Sequence, residues 1–223
     1  MQIWQDTLDL LREKREETDT ILVAFSGGKD SLVCLDLCCR IFPVVKCFFM
    51  HFVPNLKCTE DSLDYARVRW KVNIAQYPHW VLIKCLKDGI YCDQGHQQDN
   101  LPDWTLRDVY DLARAEAGCK YIVNGAKDAD SLWRRRFFNT TKGWTDMVYP
   151  IRKWNKMDVL AYCKVRQIPV PKLSTTASAT GVDLSTPSLL FLHQHYPEDF
   201  QRLLKWFPYA EAVIKREEFY GTN

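Results

Sequence analysis

Two hydrophobic periods alternate along the chain. Trp4, Leu8 and Leu11 stand at helical spacing within residues 3–17, and Thr20-Ile-Leu-Val-Ala-Phe25 then reads as a buried strand. A helix follows at once over residues 31–41, rich in Leu, Val and Cys and stopped before Pro43, and VVKCFFMHF (44–52) is a second strand. The rhythm continues with a helix at 59–76, a strand at 80–85, a helix at 106–117 and a strand at 120–124. Such alternation predicts an α/β fold with a largely parallel sheet covered by helices on both faces.

Two stretches break the rhythm. Residues 87–103 (KDGIYCDQGHQQDNLPD) have no period and read as an exposed loop. Residues 169–185, with STTASATGVDLST, read as a mobile segment of the kind that forms lids beside a sheet. Thr186-Pro187 then looks like a helix start, opening a helical tail through Phe191, Phe200, Leu203, Leu204, Ala212 and Ile214. The expected organisation is an α/β domain over 1–170, with a mobile loop and helical tail over 171–223 packed on it.

Composition narrows the class. A chain of 223 residues with 47% apolar and 13% aromatic content can bury a core as one domain and is unlike disordered sequences. No apolar run approaches the ~20 residues of a membrane helix, and the N-terminal MQIWQDTLDLLREKREE is acidic and amphipathic, unlike a signal peptide. A cytoplasmic protein without membrane partners is expected. The nine cysteines, Cys34, Cys38, Cys39, Cys47, Cys58, Cys85, Cys92, Cys119 and Cys163, include no C-x-x-C pair. Most fall in apolar helical or strand-like runs, so reduced structural thiols are expected.

The sharpest chemical feature is Ser26-Gly27-Gly28-Lys29-Asp30-Ser31, between the first strand and its helix. Ligands of open parallel sheets bind beyond the strands' carboxyl ends, where a helix N-terminus offers unpaired N–H groups to an anion. Adjacent glycines allow a nest of amides; Ser26 and Ser31 add hydroxyls, Lys29 adds charge, and Asp30 is a candidate Mg²⁺ ligand. The bland alternative is a turn in which Asp30 or Ser31 merely caps the helix. The spacing is neither a Walker A loop nor G-x-G-x-x-G.

SGGKDS after a first strand resembles the PP-loop of the adenine nucleotide alpha hydrolase superfamily, and the chain is similar to its phosphoadenosine phosphosulfate (PAPS) reductase branch, including short stand-alone members carried by bacteriophages. Asn124-Gly125-Ala126-Lys127-Asp128, with Ser131 and Arg134, is similar to that family's strand-end glycine and following polar residues. Tyr149-Pro150-Ile151 with Trp154, Asp158-Val159 and Tyr162 resembles its proline-containing strand and next helix. The resemblance implies a five-stranded, mostly parallel sheet (HUP/PP-loop ATPase-like) binding ATP or a related adenine nucleotide at its carboxyl edge, with Mg²⁺ and without an iron-sulfur cluster. It places Ala24, Phe25, the loop residues 26–31, Met50, His51, Phe52 and Gly125 around the nucleotide. Host cytoplasm is the implied location if the chain is phage-encoded.

Residues 127–156 carry eight basic and three acidic side chains, an excess that fits a polyanion-facing surface. Lys127 and Arg134 are the expected catalytic partners of Lys29 and Asp30, sharing a face if 128–138 is helical. Arg135, Lys142 and Lys156 read as a solvated face. Trp133, Phe137, Phe138 and Trp144 read as core by default, although stacking on a nucleic-acid base is the alternative. His193 and His195 read as surface or tail-packing residues.

Family members either cleave ATP between the α and β phosphates or reduce a sulfonucleotide. Reductases of this branch use a thiol in a C-terminal glutamate-cysteine-glycine-histidine segment, which this chain lacks; Cys58 and Cys92 are the plausible exposed thiols. The leading reading is adenylation of an acceptor, small molecule or nucleic acid, with pyrophosphate release. The alternatives are a sulfonucleotide reductase and a non-catalytic nucleotide-binding subunit of a larger complex; a homo-oligomer is compatible with each.

Overall fold

The computed structural model describes residues 2–93, 100–140, 144–170 and 182–221. Helix α1 (Gln2–Glu17) leads into strand β1 (Thr20–Ala24), α2 (Lys29–Ile41), β2 (Val44–His51), α3 (Lys57–Trp70) and β3 (Ile74–Pro78). Then come α4 (Trp80–Lys87), α5 (Leu106–Ala117), β4 (Ile122–Val123), α6 (Leu132–Thr140), β5 (Met147–Val148) and α7 (Lys156–Arg166). Helices α8 (Thr186–His195), α9 (Pro197–Leu204) and α10 (Glu211–Tyr220) form the tail. The five strands pair in parallel, in the order β3-β2-β1-β4-β5. The α/β class and parallel sheet expected from the sequence are therefore present.

Strand alternation divides the core. Ile21, Val23, Cys47, Phe49, Ile74 and Val123 face α1, α2, α3 and α7, whereas Leu22, Phe48, Tyr77 and Ile122 face α5. Helix α2 is the most enclosed, buried continuously from Ser31 to Cys38. Its Asp36, 2% exposed, accepts hydrogen bonds from Trp70 Nε1 (3.0 Å), Tyr162 Oη (2.8 Å) and Arg166 Nε (2.9 Å), tying α3 and α7 to α2.

A third apolar cluster joins Phe52, Val53, Leu56, Leu82 and Cys85 to Leu189, Leu192, Phe200, Leu203 and Phe207 of the tail segment. Buried Asp199 on α9 accepts from the backbone N–H groups of Lys57 (2.8 Å) and Cys58 (2.9 Å), supplying the cap that Leu56 cannot give α3. His193 and His195 lie against Phe200 and Phe191, ring to ring.

The elements differ from the sequence reading at two places. The proline-containing strand read at 149–151 is a turn in which Arg152 N donates to Tyr149 O (3.2 Å), and β5 lies just before it. Residues 80–85, read as a strand, form α4, because His79 Nδ1 accepts from Val81 N (3.1 Å) and starts a helix there. The third strand is instead β3, within the tail of the helix expected to reach residue 76. It has only Ile74 and Tyr77 buried and ends at Pro78 on the sheet edge, so its apolar signal is weak. In the stretch read as an exposed loop, Cys92 is buried, and residues 94–99 lie outside the described residues. The lid expected at 169–185 falls mostly on 171–181, also outside them. Among the described residues no helix is long and apolar enough to cross a membrane.

Candidate anion site at the sheet switch point

Strand order reverses at β1. The chain runs outward through β2 and β3, then returns to place β4 on the other side of β1. Adjacent strands whose connections diverge leave a crevice at their carboxyl ends. Both motifs read from the sequence, 26–31 after β1 and 124–134 after β4, flank that crevice.

Ala24 ends β1, and the N–H of buried Phe25 continues the ladder to Phe48 O (2.8 Å). The chain then turns through Gly27, at φ +74°, a left-handed conformation that side-chain-bearing residues adopt at a cost. A Cβ on Gly27 would lie 3.4 Å from Ser62 Cβ, so α3 backs the loop, a neighbour that sequence spacing offered no means of finding. Gly28 caps α2 in extended conformation without a side-chain hydrogen bond. The first-turn amides of α2 thus point at the crevice as a helix terminus does, with the positive end of its dipole.

The serines brace this turn. Ser31 Oγ donates to Gly28 O (2.9 Å) and accepts from Ser26 N (3.2 Å) and Ser26 Oγ (3.2 Å). The Ser31 hydroxyl proton, expected to serve a ligand, is therefore directed to the loop's own carbonyl. Ser26 is exposed and lies at the loop's rim.

Charge is organised around two carboxylates. Asp30 Oδ2 accepts from Lys29 Nζ (2.9 Å), and Asp30 Oδ1 stands 2.6 Å from Lys127 Nζ as an ion pair without hydrogen-bond alignment. Asp130 Oδ1 also pairs with Lys127 Nζ (2.9 Å), and Asp130 Oδ2 accepts from Lys127 N (2.9 Å) and Arg134 Nη1 (2.7 Å). Burial alone would raise the Asp130 pKa, but the hydrogen bonds from Lys127 outweigh it and hold the carboxyl below its ordinary range. Three cations, Lys29, Lys127 and Arg134, are thus linked through two acids. The expected helical register of Lys127 with Arg134 is not what joins them, since α6 begins only at Leu132; Asp130 does so.

Gly125 makes the approach of β4 to α2 possible. A Cβ there would stand 3.1 Å from Asp30 C and 3.2 Å from Asp30 O, too close to backbone to be relieved by rotating a side chain. Each carboxylate oxygen of Asp30, the candidate Mg²⁺ ligand, faces a lysine ammonium in this structure. Among the described residues no group of three or more His, Cys, Asp or Glu is placed to hold a metal ion.

At the end of β2, Met50 packs against the α5-side core and Phe52 against Phe207 and His79. The His51 carbonyl accepts from His79 N (2.9 Å), which continues the β2–β3 ladder to its carboxyl end. His51 Nδ1, in contrast, is buried without a hydrogen-bond partner among the described residues, and burial holds the imidazole pKa below its ordinary value.

Most of the thiols lie in the core. Seven of the nine cysteines are buried, and Cys39 and Cys58 are half-buried. Burial pushes the thiol pKa up to about 12 at Cys39 and about 11 at Cys163, and raises that of Cys58 well above the usual range, with Asp199 adding to it. Of the two read as exposed candidates, Cys92 is buried in the tail cluster and Cys58 packs half-buried against it.

Fold comparison agrees with this geometry. A PAPS reductase from Candida auris, solved as a phosphate complex, superposes with TM-score 0.52 at 15% identity, covering 78% of this chain and 86% of that one. An NH3-dependent NAD synthetase from Campylobacter jejuni, solved with nitrate, gives TM-score 0.52 at 13% identity, covering 100% of this chain and 96% of that one. No curated protein matches the chain. The model of the phosphoadenosine phosphosulfate reductase domain matches residues 20–203, from the start of β1 to the last turn of α9. With its PP-loop at the switch point of a parallel sheet, the chain belongs to the PAPS reductase domain family, within the adenine nucleotide alpha hydrolase superfamily.

Proposed function

We propose that the chain binds ATP, or a related adenine nucleotide, with its phosphates in the 26–31 loop, and transfers the adenylyl group to an acceptor. The observation that carries this reading is the convergence of Lys29, Lys127 and Arg134 beside the loop, together with thiols of which seven are buried and two half-buried. In the reaction, an acceptor oxygen or nitrogen forms a bond to the α-phosphorus as it loses its proton. The bond from that phosphorus to the α–β bridging oxygen breaks, and pyrophosphate leaves with that oxygen and its electron pair.

The loop's part is electrostatic. Amides of Gly27 and Gly28 and the first turn of α2, with Lys29, stabilise charge gathering on the departing pyrophosphate, while Ser26 contacts it from the rim. Lys127 and Arg134, held in place by Asp130, meet charge on the α-phosphate. Asp30 aims the two lysines. Among the described residues beside the loop, Asp30 and Asp130 are both engaged by lysines.

The family match favours a second reading, reduction of a sulfonucleotide. Incubation with ATP, MgCl₂ and candidate acceptors, followed by product analysis, separates the two. AMP or an adenylated product together with pyrophosphate, reduced at least 100-fold in Lys29→Ala, is the expected result. Sulfite release from PAPS with a thiol reductant, abolished by replacing one cysteine, would establish the reductase instead. Tight nucleotide binding without either product would mark a binding subunit.

A further inference from the structure

Helix α6 breaks the rule that apolar residues face inward. Leu132 is 72% and Trp133 69% exposed, and both belong to the segment LWRRRFFNT that directly follows the β4 motif. At 100° per residue, Arg134 and Phe138 share one side of the helix, and that side is engaged: Arg134 bonds Asp130, while Phe138 meets Tyr149 (4.7 Å) and the Arg152 guanidinium (4.7 Å). Leu132, Trp133, Arg135, Arg136 and Phe137 occupy the remaining arc. The indole of Trp133 and the ring of Phe137 lie 5.4 Å apart and 18° from parallel, forming a two-ring stack. Core packing, the default reading for these aromatics, therefore fails for Trp133; Phe137, Phe138 and Trp144 are half-buried.

The acids of the segment are already engaged by other cations. Asp128 is taken by Arg152 and Lys153, Asp130 by Lys127 and Arg134, and Asp146 by Arg107 and Arg114. Arg135 is exposed and pairs with no carboxylate among the described residues.

We propose that the outward arc of α6 binds single-stranded nucleic acid, with a base stacked on the Trp133–Phe137 pair at one end of the arc and the strand's backbone crossing it toward Arg135 at the other, about 160° round the helix. Two features select this occupant. The basic side chains call for a polyanion, and an exposed indole already stacked on a phenyl ring calls for a second planar, sequence-tolerant partner, which a base supplies and an acidic peptide does not. Duplex DNA hides its base faces, so single strands are preferred. The arc is also joined to the anion site: Arg134, on the engaged side of the same helix, reaches Asp130 and through it Lys127 beside the loop. If the adenylation reading holds, a bound strand lies where an acceptor is needed; that extension rests on that reading, but the binding itself does not.

Fluorescence anisotropy with a labelled oligothymidylate, without nucleotide, tests the surface apart from turnover. The full chain is expected to bind it, more weakly as salt rises. Affinity should fall roughly 5- to 100-fold in Trp133→Ala, be largely restored in Trp133→Tyr, and fall in Arg135→Glu, with circular dichroism unchanged in each. No binding, equal affinity in wild type, Trp133→Ala and Arg135→Glu, or displacement by polyglutamate as effective as by unlabelled oligonucleotide would overturn the proposal.

Discussion

At the scale of single residues, the site depends on what is missing as much as on what is present. Gly125 lets the β4 end lie against the first turn of α2, and the Lys127–Asp30 pair depends on that approach. Gly125→Ala is expected to leave the fold intact, at a cost of about 1–3 kcal/mol for the overpacked contact, yet to weaken nucleotide binding at least tenfold by moving Lys127. Thermal melts and a binding titration on the same sample separate these effects; unchanged affinity would show that the approach does not matter. The loop itself was legible from SGGKDS, because glycines and cations after a buried strand have few other uses. The role of Asp130 was not, since the three-residue spacing from Lys127 means little until the turn that folds it back is known.

At the scale of elements, α2 shows why a buried charge need not signal catalysis. Burial alone would raise the pKa of Asp36, but hydrogen bonds from Arg166, Tyr162 and Trp70 outweigh it and hold the carboxyl below its ordinary 3.8. A carboxylate with a depressed folded-state pKa contributes stability that is fully present above its unfolded value and is lost as pH falls through the folded value. Asp36→Asn should therefore destabilise the protein by about 2–4 kcal/mol near neutral pH, with the gap to wild type constant above pH ~4 and closing below it. Urea melts across a pH series check this; a pH-independent gap would contradict the charged role. The element least legible in the sequence was β3, whose two inward residues, Ile74 and Tyr77, carried less signal than the apolar run of α4 beside it. Hydrophobic content at 80–85 was visible, but its period could not be separated from a strand's over so few residues.

For the whole molecule, position decides which concavity matters. A cavity of about 320 Å³ lies among Trp4, Leu8, Leu37, Trp154, Tyr162 and Arg166. It sits toward the C-terminal end of α2, away from the N-terminal turn that carries the phosphate loop. The crevice between β1 and β4 is the functional candidate because the topology aims a helix N-terminus there and three cations converge on it. The parallel architecture followed from alternation of period, whereas the strand order, and with it the switch point, required the sheet itself. The most direct test of the central claim is calorimetric titration of ATP into the full chain and into Lys29→Ala and Lys127→Met. One site per chain, with affinity reduced at least tenfold in both variants, is the expected result; equal affinity in all three proteins would contradict a nucleotide site at the switch point.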